Sequence, residues 1–146
     1  MAAGPKVGAM TGFFFGMFSF IQAFRSPAVM MQFASSYNPL YALIICVVPR
    51  VAIGWIAWKL FRILPGKLAV RAGGAAVITT FLHTVMFLSL FYLLVGVPFA
   101  QHQGVSPVAV AEMLAGIAGA NGIPEAIVAG VITAPIISAL YRIGNR

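Results

Sequence analysis

Acid is nearly absent from this chain. Two glutamates, Glu112 and Glu125, are set against nine lysines and arginines in 146 residues. No pair of neighbouring carboxylates can be assembled, nor a Ser-His-acid or Cys-His set, a glycine-rich phosphate loop or an ATP-binding motif, so enzymatic activity is not expected. The single cysteine, Cys46, excludes an internal disulfide and a cysteine-based metal cluster. The two histidines, His83 and His102, have no acidic residue nearby, so neither a metal site nor a cofactor is expected.

What is present is apolar: 62% of residues are hydrophobic, and the mean hydropathy is +1.02. Such a chain has no water-facing majority, and its solvent is lipid. The net charge of +7 does not point to nucleic acid, because the basic residues flank apolar runs instead of forming a face. The amino terminus, MAAGPKVGAM, lacks a basic segment followed by a cleavable apolar core, so no signal peptide is expected.

In a bilayer only helices and closed barrels satisfy their own backbone. The apolar runs far exceed the roughly ten residues of a barrel strand and lack strict alternation, which predicts an all-α integral membrane bundle forming a single transmembrane domain, 1–146. Four stretches, about 7–24, 39–64, 68–97 and 123–143, reach the roughly twenty residues a span requires. A fifth, about 108–120, is shorter and reads as a partial or re-entrant helix. The polar stretch from Arg25 to Asn38, Pro65-Gly66, the segment from Pro98 to Pro107, and Asn121-Gly122 with Pro124 divide them. If the four spans alternate in direction, Lys6, Lys59, Arg62, Lys67, Arg71, Arg142 and Arg146 gather at one end and only Arg25 at the other. The positive-inside rule then places the carboxyl terminus of this multi-pass cell-membrane protein in the cytoplasm.

Gly8, Gly12 and Gly16 recur every fourth residue on the first span, a smooth groove for close approach of another helix, inside the bundle or on a separate partner. Ionisable groups inside the spans are the other signal, since each costs a few kcal/mol in hydrocarbon. Arg50 lies about eleven residues into the second span, behind Pro49. Asn121 and Glu125, four apart, share a face of the last span. An Arg50–Glu125 pair at similar depth would neutralise both charges, either fastening two helices or facing a cavity that binds a polar ligand. His83 stands among Thr79, Thr80 and Thr84, as a packing residue or a ligand contact. Gln22 and Asn38 add polar groups at the end away from the basic residues, and Glu112 could be solvated there or close the cavity.

The stretches NPLYALIICVVPR (38–50), GPKVGAMTGFFFGMFSFIQAF (4–24) and ANGIPEAIVAGVITAPI (120–136) resemble the substrate-binding S components of energy-coupling factor transporters, most of all the group linked to pantothenate and related B-vitamin precursors such as hydroxymethylpyrimidine. TTFLHT (79–84) aligns with a family segment that usually reads GTLTNT, so His83 replaces an asparagine. The resemblance implies a six-helix bundle that captures a vitamin from outside. It would work with a transmembrane coupling subunit and two cytoplasmic ATPase subunits that supply the energy. The four spans would be the last four of the six, and the first two helices, with the docking faces they usually carry, would be lacking, leaving the glycines of the first span to serve that role.

The expected function is therefore substrate capture for an ATP-driven importer of a pantothenate-like or pyrimidine- or pyridine-like compound, with Arg50, His83, Asn121, Glu125, Gln22 and Asn38 around the site and Gly8, Gly12 and Gly16 docking the partner. The alternative is a structural membrane subunit with no ligand of its own.

Overall fold

A computed structural model describes residues 4–25 and 28–144. Arg146, counted above toward the basic end, and Ser26 and Pro27 of the first connection lie outside the described residues. The elements are α1 (Pro5–Arg25), α2 (Val29–Tyr37), α3 (Pro39–Ile63), α4 (Leu68–Gln103), α5 (Pro107–Ile117) and α6 (Ile123–Gly144), with a π-helical turn, Ala118–Gly122, between the last two. Among the described residues, four helical stretches are long and apolar enough to cross a membrane: α1, α3, α4 and Pro107–Ile143.

The last of these revises the expected helix boundaries. The 108–120 segment is not a separate excursion, because α5 runs through the π turn into α6. Pro124 has no N–H to give the carbonyl four residues back, and a widened turn accommodates that loss without breaking the helix. In hydrocarbon a break would strand several backbone groups, which costs far more. Likewise α4 continues past Pro98 to Gln103, and Gly104 ends it in the left-handed conformation (φ 69°), its N–H reaching the Ala100 and Gln101 carbonyls. At 36 residues it is about 54 Å long, beyond the roughly 30 Å hydrocarbon core. The stretch expected to connect the first two spans as a loop contains α2. Asn38 closes α2 and opens α3, its Oδ1 accepting from the Leu40 N–H at 2.9 Å.

The spans form an open arc. α1 packs on α3, α3 on α4 and α4 on α6; among the described elements α1 and α6 do not touch, nor do α3 and α6. Glycine sets the closest approach in the arc. A Cβ on Gly8 would strike the Gly54 backbone, one on Gly12 the Arg50 carbonyl and one on Gly16 the Val47 backbone, in descending order along α3 as expected for antiparallel neighbours. The glycine face expected to dock a partner is thus filled by α3 of the same chain. Gly73 against Gly130 and Thr84 against Gly122 give α4 and α6 the same antiparallel sense.

At the basic end Arg71 closes the α3–α4 turn, its Nε and Nη2 donating to the Phe61 carbonyl at 3.0 and 2.6 Å. Lys59 and Arg62 lie over Trp55 and Trp58, an aromatic and cationic collar suited to a membrane interface. At the opposite end α2 rests on α1, α3 and α4. There Met31, Ala34, Ile45, Phe91, Val95 and Phe99 form a tight apolar core. Phe13, Phe14, Phe18, Leu93 and Val131 are exposed, as lipid-facing residues should be.

Because backbone occupies the space beside Gly12, Gly12→Val is expected to destabilise the protein by about 2–3 kcal/mol. Gly116→Val, at a position with open space around it, should leave stability nearly unchanged. Thermal unfolding in detergent compares the two, and equal effects would show that the α1–α3 seam is not this close.

Candidate functional site

Arg50 owes its setting to the residue before it. Pro49, buried inside α3, cannot donate to the Ile45 carbonyl and loosens the helix there. The Arg50 side chain turns back into the loosened turn, and its Nη1 donates to the Cys46 carbonyl at 2.8 Å. Its guanidinium lies between two rings, 5.4 Å from the centre of Phe15 on α1 and 5.9 Å from that of Phe87 on α4. These contacts disperse a charge that hydrocarbon disfavours. They do not complete its hydrogen bonding, since Nε is buried without a partner.

His83, one turn before Phe87, has its ring 6.2 Å from that same phenyl ring. Its Nε2 is also buried and unpartnered. Two unsatisfied nitrogens therefore lie close to Phe87, an arrangement that is costly unless something supplies hydrogen-bond partners. Beside them is a cavity of about 300 Å³ lined by Thr11 and Phe15 of α1, Arg50, Ile53 and Ala57 of α3, and Thr79 of α4. Both threonine hydroxyls donate to carbonyls four residues back, Thr11 to Val7 at 2.9 Å and Thr79 to Ala75 at 2.7 Å. Their lone pairs remain free to accept. The cavity extends from Arg50 toward the basic end. The side away from that end, where the sequence placed the site, is filled by the apolar core.

The structure gathers Arg50, His83 and Thr79 but not the remaining candidates. Glu125 and Asn121 are exposed, and Arg50 and Glu125 stand on helices that do not touch. The expected Arg50–Glu125 pair is absent because α4 lies between its two helices. Gln22 is exposed on α1, and Asn38 is committed as a helix cap. Sequence reading missed Phe87 and Thr11. The spacing of His83 and Phe87, four apart on one helix, was the available signal for the first.

These features define a multi-pass helical membrane protein with an arginine and a histidine held inside the helical arc. The chain is 25% identical, over 151 aligned positions covering 98% of it and 72% of the relative, to the pantothenic acid transporter PanT of Lactococcus lactis subsp. cremoris. No family profile matches the chain, and no solved structure matches it.

If His83 Nε2 has no partner within the protein, then replacing it with an apolar side chain removes a penalty and no bond. His83→Leu is expected to keep thermal stability within about 1 kcal/mol of the parent or to raise it. A loss of several kcal/mol would reveal a structural hydrogen bond.

Proposed function

We propose that this chain is the substrate-binding membrane subunit of an importer for pantothenate or a closely related B-vitamin precursor. The observation that carries the reading is the guanidinium of Arg50, unpaired by any acid and facing a cavity inside the span. A carboxylate ligand is the counterion that the chain itself does not provide. Arg suits this role because its planar fork can meet both carboxylate oxygens. Thr11 and Thr79, which line the cavity, offer hydroxyl oxygens to the amide and hydroxyls of such a ligand. The similarity to a protein named as a pantothenic acid transporter supports the same cargo.

The chain carries no ATP-binding motif, so uptake driven by ATP requires other subunits. We propose the energy-coupling factor arrangement, with a transmembrane coupling subunit and two cytoplasmic ATPase subunits. The carboxyl terminus and the α3–α4 turn would lie in the cytoplasm, on the strength of the lysines and arginines collected there. With the glycine seam of α1 taken by α3, the coupling subunit would meet another face. Glu125 and Asn121, exposed on the far helix, are not needed to hold the carboxylate.

Two measurements test this. Small molecules released from the detergent-purified protein and identified by mass spectrometry should include pantothenate or a precursor. Titration with pantothenate should then show Arg50→Gln weakened by about 10- to 100-fold, the worth of a charge-assisted hydrogen bond, with Arg50→Lys in between. A folded protein that binds no pantothenate, or an Arg50→Gln variant with parental affinity, would overturn the assignment.

A further inference from the structure

The outward face of α3 changes in polarity along its length. Gly54, Arg50 and Val47 turn toward α1, and Ala42, Ile45, Cys46 and Pro49 are buried. Val48, Trp55, Lys59 and Arg62 are exposed, and their spacing places them on one face of the helix. Trp58 lies beside that strip, one turn before Arg62. Lys59 Nζ stands 5.3 Å from the centre of the Trp55 ring, and the Arg62 guanidinium carbon 5.1 Å from that of Trp58. Each cation is therefore held against an indole instead of extending freely into water. Three residues apart on a helix, the two side chains start about 5–6 Å from one another, close enough to meet one phosphate group. No side-chain carboxylate of the protein balances them. Glu112 and Glu125 stand on α5 and α6, which do not touch α3 among the described elements.

We propose that this strip of α3 is a binding surface for an anionic phospholipid in the leaflet at the basic end. From Val48 to Arg62 it covers about 21 Å of helix, and one leaflet with its headgroups is about 20–22 Å thick. Along that length the strip follows the lipid. Val48 lies at the depth of the acyl chains, the indoles at the level of the glycerol esters, and the two cations at the phosphate. The indole N–H groups can donate to ester oxygens. An acidic protein surface would match Lys59 and Arg62 but leave Val48 and Trp55 without a partner, and a free anion would use only the top of the strip. A zwitterionic lipid brings its own cation beside the phosphate, which weakens the attraction, whereas a headgroup of net negative charge does not. The proposal goes beyond the capture of pantothenate and rests only on α3 spanning the membrane.

Native mass spectrometry tests this on protein released from nanodiscs made of equal amounts of phosphatidylglycerol and phosphatidylcholine with matched acyl chains. The parent should retain phosphatidylglycerol in preference to phosphatidylcholine. Lys59→Gln and Arg62→Gln should each lower the ratio of the two lipids by about five-fold, and the double variant by about 25-fold. Both positions are exposed, so the variants should fold, as their circular dichroism will show. Lys67→Gln removes an equal charge at the same end but off the strip, and should change the ratio by less than about two-fold. Arg50→Gln should leave it unchanged, so a failure of pantothenate capture would not register here. An excess of inorganic phosphate should not displace the lipid, whose chains hold it along the lower strip. Equal retention of the two lipids by the folded parent, or a parental ratio in the double variant, would overturn the proposal. So would an effect of Lys67→Gln as large as that of Lys59→Gln, which would reflect net charge alone, or displacement by phosphate, which would indicate a plain anion site.

Discussion

Every backbone N–H and C=O in the spans must find its partner within the protein, because hydrocarbon offers none. Much of the architecture follows from this constraint. It explains why helices pass through Pro49, Pro98 and Pro135 without ending, and why Asn121-Gly122 with Pro124 produces a widened turn and not a loop. It also explains where the chain does end its helices. Asn38, Ser106 and Gly104 each serve as a cap, and the Arg71 guanidinium reaches a carbonyl of the last turn of α3. The breaks fall at the ends of the arc, and the π turn is the principal irregularity left within it.

Arg50 is the side chain on which that constraint bears hardest. A cation on a mid-span helix costs about 2.5–3.5 kcal/mol on insertion scales. A carbonyl next to a proline kink and two phenyl faces offset part of it. A residue retained only for packing would be better served by leucine, which has nothing to satisfy. The side chain instead keeps its Nε unpaired next to a histidine with the same deficit. Both deficits lie beside the Phe87 ring, and a structural ion pair does not account for them, since no acid stands on a helix that contacts α3.

The spans and the gathering of basic residues at one end were legible because hydropathy and end charges are local properties of each segment. Pairings between helices were not. The glycines of α1 announced close packing, but their counterpart, Gly54 with the backbone around Arg50, carries no mark in sequence that distinguishes it from a groove for a separate protein. Arg50 and Glu125 matched in depth and sign, yet which helices adjoin is a property of the whole arc, and α4 separates them. α2 escaped notice because Ser35-Ser36-Tyr37-Asn38 reads as a turn, while its buried side, Met31 with Ala34 and Ser35, spans little more than one turn.

The distribution of packing also says which part can move with least loss. Between the α2 end and Arg50 lie Met31, Phe91, Val95 and Phe99, buried in one apolar cluster. α3 and α4 are each held by neighbours on two sides along their length, and shifting either would break a close-packed seam. α2 differs. At nine residues it is below the length at which a helix persists alone. Its first turn has no side-chain cap, and its order depends on docking Met31, Ala34 and Ser35. Displacing it would cost the burial of those three residues and open the apolar plug from above, while the glycine seam that positions Arg50 stayed closed.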